Sequence, residues 1–211
     1  MERNISRYTS SLIVQIAART FNRFYCNMTL FIFYLIFIVE ILSFLFVLIN
    51  LGNRANSVWP PQERNTKTIY SLMIIFYSII FGNIWLSIKE WDNALFNIPG
   101  LRYLGVFFFI LGLLFYAWCR MYMSKKMEFG GKDHLITQGP YQYTRNPLYI
   151  ADTFIFLGFA FFSNSMLVII LMAVLVFTLL LLPLIEEPWL LEQYGEQYKS
   201  YMEKVPRYIT I

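Results

Sequence analysis

The chain has 211 residues, 58% of them apolar and only 14% charged, against roughly 45–50% and about 25% in a soluble domain. A water-soluble globule of this length would lack the polar residues to cover its surface, and the same figures exclude a disordered, collagenous or disulfide-stapled chain. In so apolar a chain the net charge of +4 reports membrane topology rather than affinity for nucleic acid, and no nucleic-acid partner is expected.

The first 28 residues put Leu12, Ile13, Ile16, Ala17, Phe21 and Phe24 at helical spacing, with Arg19 and Arg23 elsewhere on the circle. This predicts an amphipathic helix lying in the bilayer interface, retained in the protein because no small-residue cleavage site follows it. A bilayer core about 30 Å thick takes about 20 helical residues rising about 1.5 Å each. Five apolar runs suit it: Leu30 to Ile49, interrupted by Glu40; Ile69 to Ile88; Tyr103 to Cys119, completed by a snorkelling Arg120; Leu148 to Phe162; and Met166 to Ile185. Only Ser163, Asn164 and Ser165 separate the last two runs, which therefore form an antiparallel hairpin whose ends return to one side. The fold class is all-α, a polytopic membrane bundle of about five transmembrane helices with interfacial amphipathic helices at the N-terminal and C-terminal ends.

With five spans, one side carries Arg3, Arg7, Arg19, Arg23, Lys89 and Arg102. The other carries Arg54, Arg64, Lys67, Arg120, Lys125, Lys126, Lys132, Arg145, Lys199, Lys204 and Arg207, eleven positives against six. The positive-inside rule places the second side in the cytoplasm. The first arm of the hairpin is short, about 15 residues or about 22 Å, so the loop before it sinks toward lipid. There it can meet a cofactor from water and a substrate from the bilayer.

That loop reads His134-Leu135-Ile136-Thr137-Gln138-Gly139-Pro140-Tyr141-Gln142-Tyr143-Thr144-Arg145-Asn146-Pro147. Asn146 before Pro147 is a helix start with a favoured N-cap, Gly139-Pro140 supplies a turn, and the free amides of 146–148 beside Arg145 would attract a carboxylate or phosphate. Beyond the last span come Glu186 and Glu187, then Pro188 and the pattern Leu190, Leu191, Tyr194, Tyr198, Tyr201, read as an amphipathic helix on the membrane surface. Two carboxylates at a helix C-terminus face an already negative dipole and need compensation by a cation, a hydroxylated ligand or the basic loop. Because a hairpin returns its ends to one face, Glu186 and Glu187 should come close to Arg145 and Asn146.

His134-Leu135, Gly139-Pro140-Tyr141, Arg145-Asn146-Pro147-Leu148-Tyr149, then Glu186-Glu187, Leu190, Tyr194-Gly195, Tyr198, Tyr201 and Val205 resemble the C-terminal core of the isoprenylcysteine carboxyl methyltransferase and phospholipid methyltransferase superfamily. Its members are integral-membrane enzymes that use S-adenosylmethionine. The resemblance divides a single membrane domain, 1–211, into a transmembrane part at 1–125 and a cofactor-binding core at 126–211. It implies methyl transfer to a lipophilic or lipid-linked acceptor, an isoprenylcysteine carboxylate or a phospholipid amine. By the same resemblance Glu186, Asn146 and Arg145 have catalytic roles, and His134, Leu135, Gly139, Tyr141, Pro147, Tyr149 and Glu187 bind S-adenosylmethionine. Two positions depart from the family pattern. Asn146 stands where many members have His, and Leu182 stands four residues before Glu186, where the isoprenylcysteine branch carries an Arg for the substrate carboxylate.

Two other readings compete. Membrane reductases of the sterol-reductase type have a similar core that takes NADPH, but their motif continues with Asn-Tyr and a nearby Glu, absent after Pro147. A non-enzymatic accessory would keep the scaffold without the cofactor. Glu40 and Asp152 are expensive in hydrocarbon and should face the bundle interior, Glu40 toward a structural partner and Asp152 toward the pocket. One His and two separated Cys do not supply the ligand set of a transition-metal site.

Overall fold

The structure, a computed structural model, describes residues 2–52, 66–124 and 133–208. Arg54, Arg64, Lys125, Lys126 and Lys132 of the charge pattern lie outside them, as do the side chains of the N-terminal apolar stripe and its arginines. Among the described residues there are six α-helices, one short 3-10 helix and no strand. They are α1 (Glu2–Gly52), α2 (Thr66–Lys89), α3 (Leu101–Arg120), the 3-10 helix Gly139–Gln142, α4 (Pro147–Ser163), α5 (Met166–Tyr194) and α6 (Glu196–Lys204). Cys26–Leu51, Leu101–Arg120 and Met166–Tyr194 are long and apolar enough to cross a membrane, and Met73–Lys89 and Pro147–Ser163 are shorter apolar helices. All five expected spans are helices, as an integral membrane bundle requires.

Two boundaries differ from expectation. The N-terminal segment is no separate interfacial helix: α1 runs unbroken over 51 residues, about 76 Å at about 1.5 Å per residue. No Gly or Pro precedes Gly52, so nothing interrupts the backbone ladder where the composition changes. At the other end α5 passes through Pro183 and Pro188 and stops only at Gly195, whose φ of 55° turns the chain into α6. Glu186 and Glu187 therefore lie inside a helix and not at its C-terminus. The expected face survives the break, because Leu190 and Tyr194 of α5 still pack on Tyr198 and Tyr201 of α6.

The main core joins α1, α2, α4 and α5 through Phe33, Ile36, Ile79, Leu86, Phe156, Val168 and Leu171. Hydroxyls within the spans satisfy themselves on their own helix: Ser43 donates to Val39 O, Ser78 to Ile74 O and Thr178 to Val174 O. Glu40 faces the interior at 1% exposure and accepts from Asn83 Nδ2 of α2 at 3.4 Å, the structural partner it needed. That pairing leaves Glu40 Oε2 and Asn83 Oδ1 without a donor.

Helix α3 stands apart, most of its apolar side chains facing outward. It is joined to α4 along a seam of small residues, Gly105 and Gly112 against Ala151 and Gly158. A Cβ on Gly158 would fall 2.4 Å from the Phe109 backbone nitrogen, and one on Gly105 equally close to that of Phe162. Only glycine lets the two backbones approach so far, which is how helices associate where lipid removes the hydrophobic drive. Antiparallel to α4, α3 delivers Tyr122 to the loop before α4.

The hairpin turn is as short as expected. Asn164 adopts the left-handed conformation (φ 51°) between α4 and α5 and donates its amide N–H to Ala160 O at 3.0 Å.

Candidate functional site

At the rim where α3 ends, α4 begins and α5 leaves the bundle, the loop 133–146 folds under the tail that follows α6. Gly139 lies flat on the Tyr122 ring, where a Cβ would come within 2.3 Å of a ring carbon. The following turn is closed by the Tyr143 N–H to Pro140 O at 3.2 Å, and the Tyr201 hydroxyl donates to Tyr141 O at 2.6 Å. Burial pushes the Tyr141 and Tyr201 phenols above the ordinary tyrosine range, so both hold their protons and Tyr201 remains a donor.

The centre of this rim is Glu187, 2% exposed. Arg145 grips it with Nε to Oε1 and Nη2 to Oε2, both at 3.1 Å. Arg207 donates Nη2 to Oε2 at 2.7 Å, and Asn146 Nδ2 reaches Oε1 at 3.2 Å. Two guanidinium groups and an amide thus surround one buried carboxylate, a planar bidentate pairing reinforced from the side. The bond to Glu187 raises the Arg207 guanidinium above its ordinary value. The basic loop, with the tail, supplies compensating cations to Glu187, one of the acidic pair.

The same groups fasten the tail. Arg145 Nη1 donates to Met202 O and Val205 O, each at 2.9 Å, and the Arg145 N–H to Pro206 O at 2.9 Å. Arg207 O accepts from Thr144 Oγ1 at 2.9 Å and from Asn146 Nδ2 at 3.2 Å. Residues 205–208 therefore form a strap across the mouth of the hairpin, ending where the Tyr208 hydroxyl donates to Leu180 O. Asn146 occupies the N-cap position of α4 but makes no side-chain cap bond. Its own N–H is taken by Thr144 Oγ1 at 3.2 Å, and Pro147 has none. The open row of amides expected at 146–148 is accordingly shorter than the sequence suggested.

Glu186 faces elsewhere, because successive helical residues point about 100° apart. Half-buried, it accepts from the Tyr149 hydroxyl of α4, and its charge reaches Tyr208. The structure thus brings Arg145, Asn146 and Glu187 together as one ion-paired knot, with Glu186 and Tyr149 as a separate pair beside it. Pro147 is buried at the root of α4, and Leu135 packs on Tyr198, Tyr201 and Val205. His134 is the outlier, with its side chain 67% exposed and Nδ1 3.4 Å from Asp133 Oδ1. Hydrogen bonds from Ser124 and His134 hold the Asp133 carboxyl below its usual range.

Three residues of this rim went unread in the sequence: Thr144, Arg207 and Tyr208. Arg207 entered only as a topological charge. Its one local signal was Pro206, which makes the preceding residue extended and so ends α6 in a strap.

Residues 101–197 match the family model of Phospholipid methyltransferase. No curated protein and no solved structure matches the chain. The matched region reaches upstream of the recognised motifs to include all of α3, and it ends in the first turn of α6.

Proposed function

We propose that this chain, whose residues 101–197 form a domain of the phospholipid methyltransferase family, transfers a methyl group from S-adenosylmethionine to the amine of a membrane-lipid headgroup. The observation that carries the reading is the division of labour between two adjacent acids. Glu187 is consumed by Arg145, Arg207 and Asn146, whereas Glu186 stands outside that knot with Tyr149 as a hydrogen-bond partner.

S-Adenosylmethionine supplies, when bound, an electrophilic methyl on a cationic sulfur. The residues fit such a group: a carboxylate with the Tyr149 and Tyr208 rings near it favours a sulfonium through both charge and aromatic faces. Leu135, Gly139, Tyr141 and Pro147 shape the loop over it, and Arg145, Asn146 and Glu187 hold that loop to α5. Much of the acceleration asked of such a site is alignment and exclusion of water, worth up to about 7–11 kcal/mol in well-oriented systems.

An amine acceptor must give up a proton, and Glu186 is the group that receives it. A carboxylate acceptor would instead need a cation. The position one turn before Glu186 is Leu182, which packs on the apolar core, and the two arginines nearest the acidic pair, Arg145 and Arg207, are already paired with Glu187. This favours a lipid amine over a prenylated cysteine. With eleven positive residues on its side of the sequence against six, the rim faces the cytoplasm.

Membranes holding the protein, given tritiated S-adenosylmethionine and a total lipid extract, should place label in the aminophospholipid fraction, and Glu186→Gln should remove it. Label appearing as a base-labile methyl ester on a prenylated cysteine would reassign the acceptor. No label in any fraction, with no calorimetric binding of the donor, would end the enzymatic reading.

A further inference from the structure

The opposite rim of the molecule carries a cavity, at the far ends of α4 and α5 from Glu186. The loop 90–100, the first turns of α3 and the α4–α5 turn enclose about 560 Å³ there. Asn164 builds the floor: its Nδ2 donates to Phe96 O at 2.7 Å, its Oδ1 accepts from the Phe96 N–H at 3.1 Å, and its carbonyl accepts from the Leu95 N–H at 2.7 Å. A loop fastened at three points to a left-handed turn keeps its shape before any ligand arrives.

Into this cavity projects one cation. The Arg102 guanidinium lies 3.7 Å from the centroid of the Trp91 ring and donates Nη2 to Trp91 O at 2.6 Å. Stacking and that one bond fix its plane while leaving most of its five N–H donors unused. No acidic residue lines the cavity, and no ion pair to Arg102 occurs among the described residues. The rest of the wall is apolar and aromatic, with Phe96, Tyr103, Val106 and Phe162 along it, and Phe96 and Tyr103 open outward at 48% and 82% exposure. An oriented, unneutralised arginine calls for an anion, and an apolar wall open to the bilayer calls for a hydrocarbon-bearing one.

We propose that this cavity binds a membrane phospholipid, its phosphate on Arg102 and its glycerol and upper acyl chains along Val106 and Phe162. A free phosphate would satisfy the arginine and leave the wall uncovered. The site is independent of the methyl-transfer reading, since it shares no residue with the Glu186 rim.

The test is calorimetric titration of the full-length protein in detergent with dihexanoyl phosphatidylglycerol below its micelle concentration, and in a second arm with inorganic phosphate. Saturable lipid binding is expected, weakened at least tenfold by Arg102→Gln and also by Val106→Trp, which fills the wall and leaves the cation in place. The unfolding temperature of each variant checks that it is folded. Lipid binding equal in wild type and both folded variants, no binding by wild type, or inorganic phosphate binding as tightly as the lipid would each overturn the proposal.

Discussion

The two halves of this molecule each bury a glutamate, and they solvate it in opposite ways. Glu40, between α1 and α2, receives one long hydrogen bond from Asn83 and keeps an oxygen without a donor. Glu187, at the end of the hairpin, receives bonds from Arg145, Asn146 and Arg207. Both are 1–2% exposed, so burial alone does not distinguish them. The difference lies in location. A carboxylate within a spanning pair can recruit only the neutral side chain of its neighbour helix, whereas one at the rim can draw on a loop and a tail rich in arginine. Polar organisation has gathered where the chain is free to bend, and the family match at 101–197 takes in its loop and Glu187 but not the tail that supplies Arg207.

The sharpest way to break the contrast is Glu187→Ala, which leaves the buried Arg145 guanidinium and the partly exposed Arg207 without their shared carboxylate. Stability should fall by about 3–5 kcal/mol, as for other buried pairs that lose one partner, and thermal unfolding in detergent together with faster proteolysis after residue 204 would register it. Glu186→Gln tests the neighbour that the knot does not use. Its unfolding should stay near wild type, while methyl transfer drops about a hundredfold or more, the usual yield of a positioned proton acceptor. Arg207→Ala removes one charged bond and leaves Arg145 in place, so about 1.5–3 kcal/mol is expected, with the loss read by denaturant titration and the lower end favoured by the partial exposure of Arg207. Smallest of all, Glu40→Gln supplies a donor where Asn83 Oδ1 has none, and its unfolding should shift by no more than about 1 kcal/mol in either direction. A large loss there would mean that the α1–α2 pair depends on the glutamate's charge after all.

What the sequence disclosed follows from what sequence spacing can encode. Apolar run length marked all five spans, Asn146-Pro147 marked the start of α4, and the three polar residues at 163–165 forced the hairpin, which in turn brought Asn146 to Glu187. Periodicity also found the face shared by Leu190, Tyr194, Tyr198 and Tyr201. Breakers were read less well. Pro188 looked like an end and lies inside α5, whereas Gly195 ends the helix by adopting a positive φ. Partners were hidden wherever they are distant along the chain: Asn83 lies 43 positions from Glu40, and the Arg207 carbonyl lies 61 from Asn146. No pattern local to either residue announces such a pair. The glycine seam of α3 is intermediate, since the sevenfold spacing of Gly105 and Gly112 is visible but its partner helix is not.

The strap at 205–208 makes the rim depend on residues beyond the last span. Only with the tail in place does Arg145 have its carbonyl acceptors at 202, 205 and 206, and Glu187 its second guanidinium. The region matched by the family model stops at residue 197, so the knot around Glu187 is completed by a segment outside that match, and sequence change in those few tail positions would reach a buried carboxylate some twenty residues away.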